Sequence, residues 1–236
     1  MCFPAFPTGE GIPIFALKLG LMRSIQALEW RYATKRFDPD KLLSKEKVDL
    51  LVKAFNLTAT SYGLQPLKLL VIRDRELQEK LRKASFNQPQ LSTASDVLII
   101  CTEKIIGKEF IETYFKYVSD IRKTPETILR PFRENLIDNF EEKPTDEIHI
   151  WAMHQAYLVL GSLLTVCAVE EIDSCPMEGF IPEQFDQILG LEELNLHAVL
   201  CLPVGYRSED DHFADLKKVR RPLSDTVIHF NRSHTR

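Results

Sequence analysis

The chain predicts an α+β fold in one domain, and three observations carry that prediction. Two runs, Val97–Cys101 and Leu196–Val204, are apolar with almost no interruption, the pattern of strands buried on both faces. Around them lie segments with apolar residues at i, i+3, i+4 and i+7, which is the spacing of amphipathic helices. Finally, 236 residues of which 44% are hydrophobic suffice for a full core, and no repeat, low-complexity block or linker divides them.

Met1–Leu21 is moderately apolar, lacks a basic start and is interrupted by Lys18, so it makes a poor signal peptide. Helical patterning begins at Met22. The expectation is an N-terminal extension over residues 1–21, with Met22 as the natural start of a single domain over residues 22–236. Ser44 reads as an N-cap for a helix to about Asn56, with Val48, Leu51, Val52 and Phe55 on one stripe. A hydroxyl-rich loop, Thr58 to Pro66, precedes a strand over Leu67–Ile72. Asp74 then caps a helix bearing Leu77, Leu81 and Ala84, and Asn87-Gln88-Pro89-Gln90 interrupts.

Phe110, Tyr114, Tyr117, Val118 and Ile121 mark a helix that stops before Thr124-Pro125. Residues 125–144 are helical but charge-rich and poorly patterned, which suggests a mobile or peripheral excursion. Thr145 opens the longest helix, to about Glu171, with Trp151, Ala152, Gln155, Leu158, Val159, Ser162, Leu163 and Val166 expected to face inward. Cys175–Phe180 is a strand end or turn. Pro182–Leu189 is a short helix stopped by Gly190, and Thr226–Phe230 is a last expected strand.

Composition removes several functions. A formal net charge of -4 gives no reason to expect a nucleic-acid partner, and no apolar run approaches the roughly 18 residues of a membrane span. The five cysteines are scattered without a Cys-x-x-Cys, which fits small buried hydrophobes in a reducing cytoplasm. Gly-x-Gly-x-x-Gly, Walker A, His-Glu-x-x-His and Gly-x-Ser-x-Gly motifs are all missing, and the six histidines lack ligand spacing. Neither a metal site nor a serine nucleophile is expected.

What remains is two basic clusters, Arg31 to Arg36 and Lys217 to Arg221, at opposite ends of the chain. Each has two readings. It is a solvated charge run, or it binds an anion, with Arg31 and Lys35 four apart on one helical face. Between the clusters lie the hydroxyl loop, an Asn/Gln-rich turn and a Pro-Met-Glu-Gly turn. That inventory suits a polar ring system carrying a phosphate better than it suits hydrolysis.

The order Arg31-x-x-Thr34-Lys35-x-Phe37-Asp38, Gln65-Pro66 before a strand, Asn87 near Gln90, Pro176-Met177-Glu178-Gly179-Phe180 and Lys218-x-Arg220-x-Pro222 resembles the FMN-dependent nitroreductase family. Within it, the likeness is to the oxygen-insensitive NAD(P)H nitroreductases. The resemblance implies a mixed sheet surrounded by helices in an interlocked homodimer. It implies FMN as cofactor and NADH or NADPH as co-substrate, with nitroaromatics, quinones or related acceptors reduced in a ping-pong hydride cycle. No side chain need act as nucleophile. Arg31, Lys218 and Arg220 would hold the FMN phosphate, and Lys35 would sit by the pyrimidine edge and tune the ring.

By the same resemblance Asn87 and Gln155 would hydrogen-bond the ring, and Gln90 would stand near it. Tyr32 and Ala33 complete the first cluster. Pro176, Met177, Glu178 and Gly179 would lie across the ring, with a backbone N–H of Glu178 or Gly179 near flavin N5 and O4. The loop bearing Thr60, Ser61 and Gly63, with Gln65 after it, would reach the FMN of a second subunit. The segment from Thr124 to Glu142 would cover the substrate side, with Phe132 or Phe140 stacking on acceptors.

Without the resemblance, Asn87 and Gln90 read equally as turn residues, Gln155 as a satisfied core amide and Glu178 as a surface carboxylate. The chain departs from the family at Ala33, where a hydroxyl is usual, at Gly63-Leu64 before Gln65, at Leu67, and at Gln90 in place of Lys. Two further functions stay open at this level: an FMN carrier or chaperone, and a cofactor-free interaction protein.

Overall fold

The computed structural model describes residues 24–230; the 1–21 extension and the start at Met22 lie outside the described residues. Its centre is an antiparallel sheet in the order β1-β2-β4-β3, built from β1 Leu67–Ile72, β2 Asp96–Glu103, β3 Asp173–Ser174 and β4 Leu196–Gly205. A parallel bridge between Ala33 and Ser174 makes the pairing mixed. Val97, Leu98, Ile99 and Ile100 of β2 are fully buried. Each contributes about 1.5–3 kcal/mol relative to an exposed side chain, which is why this run reads as a central strand.

Successive β2 residues serve opposite faces. Val97, Ile99 and Cys101 pack into one core and Leu98 and Ile100 into another, as period-two geometry requires. On β4 the parity flips. Ile100 pairs with Leu200 but Cys101 pairs with Ala198, so Val199 is an extra residue, a bulge. Leu196 and Ala198 therefore share the first core while Leu200, Leu202 and Val204 share the second.

The first core takes α3 (Arg75–Lys83), the short α4 (Gln90–Thr93) and α8 (Pro182–Leu189), through Leu81, Leu91 and Phe185. The second takes α2 (Lys45–Leu57) and α7 (Thr145–Val169), through Leu51, Val159 and Leu163. A third cluster joins α5 (Lys108–Arg122) and α6 (Glu126–Glu141) to the start of α7. Residues 24–30 are helical, α1. The caps fall where polar chemistry places them: Ser44 accepts from the Lys47 N–H at 3.3 Å and Asp74 from the Leu77 N–H at 2.7 Å. Gly190 ends α8 with φ +64°. The four described cysteines are free and buried, and burial lifts the thiols of Cys101 and Cys167 to about 12.

Several expectations are corrected. Residues 226–230 form no strand; Leu223–Thr226 is a short helix, α9, and Val227–Phe230 runs exposed beyond it. A strand needs a neighbour, and this segment finds no sheet edge among the described residues. Leu158 is 54% exposed and Ala156, Leu160 and Cys167 face inward instead; α7 is apolar around most of its circumference, so its pattern does not choose a side. That apolarity also makes α7 long and apolar enough to cross a membrane by length and composition, yet its buried stripe packs on β2 and β4. On α5, Ile111 and Phe115 are buried while Tyr117 and Ile121 are exposed. Phe140 lies in the core, 5.1 Å from Trp151 centroid to centroid, and is not free to stack on a ligand. Phe132 stays half exposed.

Candidate functional site

The first basic cluster is not helical. Beyond Trp30 the chain runs extended as a strap, and its fixing points are distant in sequence. Asp211 Oδ2 accepts from the Lys35 N–H (2.7 Å), the Arg36 N–H (3.1 Å) and the Tyr32 hydroxyl (2.9 Å). In a continuing helix those two N–H groups would go to carbonyls four residues back; the carboxylate takes them instead. Thr34 N–H donates to Ser174 O, Asp38 N–H to Tyr206 O, and the Phe37 ring is buried. Arg207 stacks its guanidinium between Trp30 (4.4 Å) and Tyr32 (4.7 Å) and binds Asp173 at 2.7 Å. The expected shared helical face of Arg31 and Lys35 is thus replaced by strand-like alternation, which brings Arg31, Ala33 and Lys35 to one side.

That side lines a cleft of 460 Å³ whose other walls are Pro176 and the segment from Phe213 to Arg220. Among the described residues it carries five cations, Arg31, Lys35, Lys217, Lys218 and Arg220, against one carboxylate, Glu29. Among the described residues, Arg31 Nε is buried without a hydrogen-bond partner. Lys218 Nζ donates to the Arg31 carbonyl, and Arg220 donates to its neighbour's carbonyl at 2.6 Å. Lys35 Nζ stands 5.9 Å from the Phe213 ring centre.

Burial, then the charge of Arg220, holds the Arg31 guanidinium below its ordinary value. Burial and the charges of Arg31 and Arg220 do the same to Lys218. Like charges crowded in this way disfavour one another, and a phosphate would reverse both effects and give Arg31 Nε an acceptor. Asp211 belongs to the frame and not to the charge balance. Burial pushes its carboxyl up, but the N–H groups of Lys35 and Arg36 and the Tyr32 hydroxyl outweigh burial and hold it below its ordinary value. Burial and the bond to Asp211 raise the Tyr32 phenol.

Beside Lys35 lies Cys175, whose thiol burial raises and the Lys35 charge lowers. Gln90 reaches Cys175 Sγ at 4.0 Å, with its own Oε1 buried and unpartnered. Pro176 opens the next turn. Met177 exchanges backbone hydrogen bonds with Cys201, at 2.8 and 3.0 Å. Glu178 accepts from the Tyr157 hydroxyl at 2.6 Å, and the Gly179 carbonyl accepts from Gln88 Nε2 at 2.7 Å. Asn87 is exposed, its Oδ1 3.4 Å from Arg82. Phe86 and Asn87 both have left-handed backbones, φ 53° and 58°, a strained pair costing on the order of 1–3 kcal/mol per residue.

The remaining predicted residues lie elsewhere. Gln155 is buried in α7, where Oε1 accepts from the Ser61 N–H (2.8 Å) and Nε2 donates to Trp151 O (2.9 Å). The loop bearing Thr60, Ser61 and Gly63 rests against α5: a Cβ on Gly63, at φ +75°, would meet the Tyr114 hydroxyl at 2.4 Å. Gln65 binds Asn56 O at 2.7 Å. The structure therefore gathers Arg31, Tyr32, Ala33, Lys35, Pro176, Lys218 and Arg220 around one cleft, while the loop 60–65, and Gln155 buried against it, do not line that cleft. Asp211, Arg207, Gln88 and Tyr157 are additions. Only the acidic triplet 209–211 hinted at the first, and nothing distinguishes its third member locally.

A family model described as the nitroreductase family matches residues 28–206. The chain belongs to the nitroreductase family. A protein of Staphylococcus haemolyticus named as an NAD(P)H nitroreductase is 30% identical over 211 residues, covering 86% of this chain and 95% of that one. YdfN of Bacillus subtilis, a crystal structure named as a nitroreductase, superposes with a TM-score of 0.80 at 18% identity, over 89% of this chain and all of that one. A structure from Exiguobacterium sibiricum, named as a nitroreductase in complex with FMN, gives 0.76 at 22% identity, over 87% and 96%. The predicted nitroreductase-like α+β fold is what the chain has. The family match takes in the strap, the hydroxyl loop and the Pro176–Gly179 turn, and ends before the wall from Phe213 to Arg220.

Proposed function

We propose that this chain is an FMN-dependent oxidoreductase that uses NADH or NADPH to reduce small acceptors such as nitroaromatics or quinones. The observation that carries this reading is Arg31 Nε, buried and, among the described residues, unpartnered beside two further cations in a cleft to which those residues bring a single carboxylate. A phosphate monoester satisfies that group and offsets the charge crowding. Arg31, Lys218 and Arg220 would hold it, Lys35 would face the ring as a fixed positive charge, and the turn from Pro176 to Gly179 would offer backbone N–H groups. FMN, when bound, supplies the two-electron chemistry between nicotinamide and acceptor in alternating half-reactions. The chain's own part is to bind, orient and supply the field.

We also assign a second copy of the chain to the partner surface. Tyr157 and Leu158 on α7 are 42% and 54% exposed, and Leu216, Val219, Leu223, Ile228 and Phe230 leave a largely uncovered apolar tail. The loop 60–63, which does not line its own cleft, would then complete the partner's site.

Titration with FMN against riboflavin tests the phosphate grip. FMN should bind at least tenfold more tightly, and equal affinity would remove the assignment. Anaerobic bleaching of the yellow protein by NADH or NADPH separates a reductase from a carrier, and a protein that stays colourless after FMN addition would reject both.

A further inference from the structure

The turn Pro176–Gly179 is gripped from two sides by residues that belong to no binding set described above. From α7, the Tyr157 hydroxyl donates to Glu178 Oε1 at 2.6 Å. From the segment after α3, Gln88 Nε2 donates to the Gly179 carbonyl at 2.7 Å and would stand 3.0 Å from a Cβ on Gly179. Gln88 is itself set in place. Its N–H donates to Ser85 O at 3.0 Å, and the two residues before it hold the left-handed backbones that turn it toward the glycine. Further along, the Ile181 N–H donates to Ala84 O at 3.0 Å, and the Met177–Cys201 pairing fixes the near end.

Between these anchors the N–H groups of Glu178 and Gly179 donate to no acceptor among the described residues, and both residues are exposed. Two adjacent free donors on an exposed stretch flanked by four contacts form a held pair, the arrangement that stabilises developing negative charge with little reorganisation. The Glu178 carboxylate would otherwise be free to swing toward those donors. Tyr157 occupies it, and that bond raises the phenol above its ordinary value.

We propose that Gln88 and Tyr157 are positioning residues that fix the Glu178 and Gly179 amides for the electron-rich edge of the bound flavin. This rests on the FMN reading above. Their effect is differential: donors held at a ring carbonyl oxygen, where negative charge grows on reduction, would favour the reduced flavin over the oxidised one, so losing them would shift the potential more than it shifts cofactor retention.

The test uses the full-length protein with Gln88→Leu and Tyr157→Phe. With FMN bound, reduced FMN should lose about tenfold in affinity relative to oxidised FMN in Gln88→Leu, a midpoint potential about 30 mV more negative for a two-electron couple. A roughly threefold loss is expected in Tyr157→Phe. Without FMN, amide hydrogen exchange at Met177, Phe180 and Ile181, the hydrogen-bonded N–H groups of this stretch, should rise at least tenfold in Gln88→Leu, with the rest of the protein unchanged. Variants that keep FMN, potential and exchange at wild-type values would overturn the proposal while leaving FMN binding intact. Variants that lose FMN with the fold intact would assign the pair to retention and overturn it as well. A wild-type chain that binds no FMN fails at the earlier step and removes both readings. If Gln88→Leu does not fold, Tyr157→Phe, which deletes one oxygen, decides by the same measurements.

Discussion

The two walls of the cationic cleft are held very differently. The strap wall, residues 31–37, is tied by backbone pairing with Ser174, by three donors converging on Asp211 Oδ2 and by the buried Phe37 ring. The opposite wall bears Lys217, Lys218 and Arg220 on a mostly exposed segment, where Val219 is 84% exposed. Its described polar ties are single contacts such as Lys218 to the Arg31 carbonyl. One wall is tied down by its own contacts; the other is set against like charge and, on the proposed reading, would gain its order from a bound anion. Binding energy spent ordering the second wall does not appear as affinity, so the walls should answer mutation differently.

Breaking the rigid wall has the largest expected effect. Asp211→Ala leaves two backbone N–H groups and a phenol without their shared acceptor, a loss of about 2–4 kcal/mol in stability. FMN affinity should fall by more than about a hundredfold as the strap frays, since each 1.4 kcal/mol of lost site organisation is a factor of ten. Urea unfolding and FMN titration on the same samples check both. The acid response follows from the same carboxyl. Its folded-state value is depressed, so its contribution is fully present above the ordinary unfolded carboxyl value of about 3.9 and is lost as pH falls through the lower folded value. Asp211→Asn should therefore show a shallower loss of stability on acidification than the wild type.

Arg220→Ala, on the loose wall, should cost less. It removes one charge-assisted contact of about 1.5–3 kcal/mol, a roughly ten- to hundredfold weakening of FMN. Unfolding should be unchanged, because among the described residues Arg220 donates only to its neighbour's carbonyl. Riboflavin affinity should not move, and the dependence of FMN binding on salt should flatten. An Arg220→Ala effect as large as that of Asp211→Ala, in stability as well as binding, would erase the contrast between the walls.

The same contrast explains what the sequence could convey. Val97–Cys101 and Leu196–Val204 were legible because burial on both faces leaves a continuous apolar run. The caps Ser44 and Asp74 were legible because their partners are three residues away. The strap was not. Its conformation is set by Asp211, 176 residues beyond Lys35, and by Ser174, so a local pattern reads as helix where a distant carboxylate imposes extension. The bulge at Val199 was hidden too, since an apolar strand looks alike in either register. Residues 226–230 failed for the opposite reason: they have strand-like composition but pair with no strand among the described residues. Of the proposed site, residue types and order were legible, whereas the frame of Asp211, Arg207, Gln88 and Tyr157 is made of long-range contacts with no local signature.

The smallest expected effect lies at Ala33, on the rigid wall, where the family resemblance leads one to expect a hydroxyl. Ala33 lines the cleft and its backbone pairs with Ser174, so Ala33→Ser adds a hydroxyl to a surface that is already fixed. Little ordering cost accompanies it, and a neutral hydrogen bond of about 0.5–1.5 kcal/mol would appear almost whole as affinity, a gain of roughly two- to tenfold for FMN. The same added bond on the loose wall would be spent partly on ordering. A titration in which Ala33→Ser leaves FMN affinity unchanged would show that the rigid wall does not face the cofactor closely enough to gain from a new donor, and the functional part of the contrast between the walls would then fall.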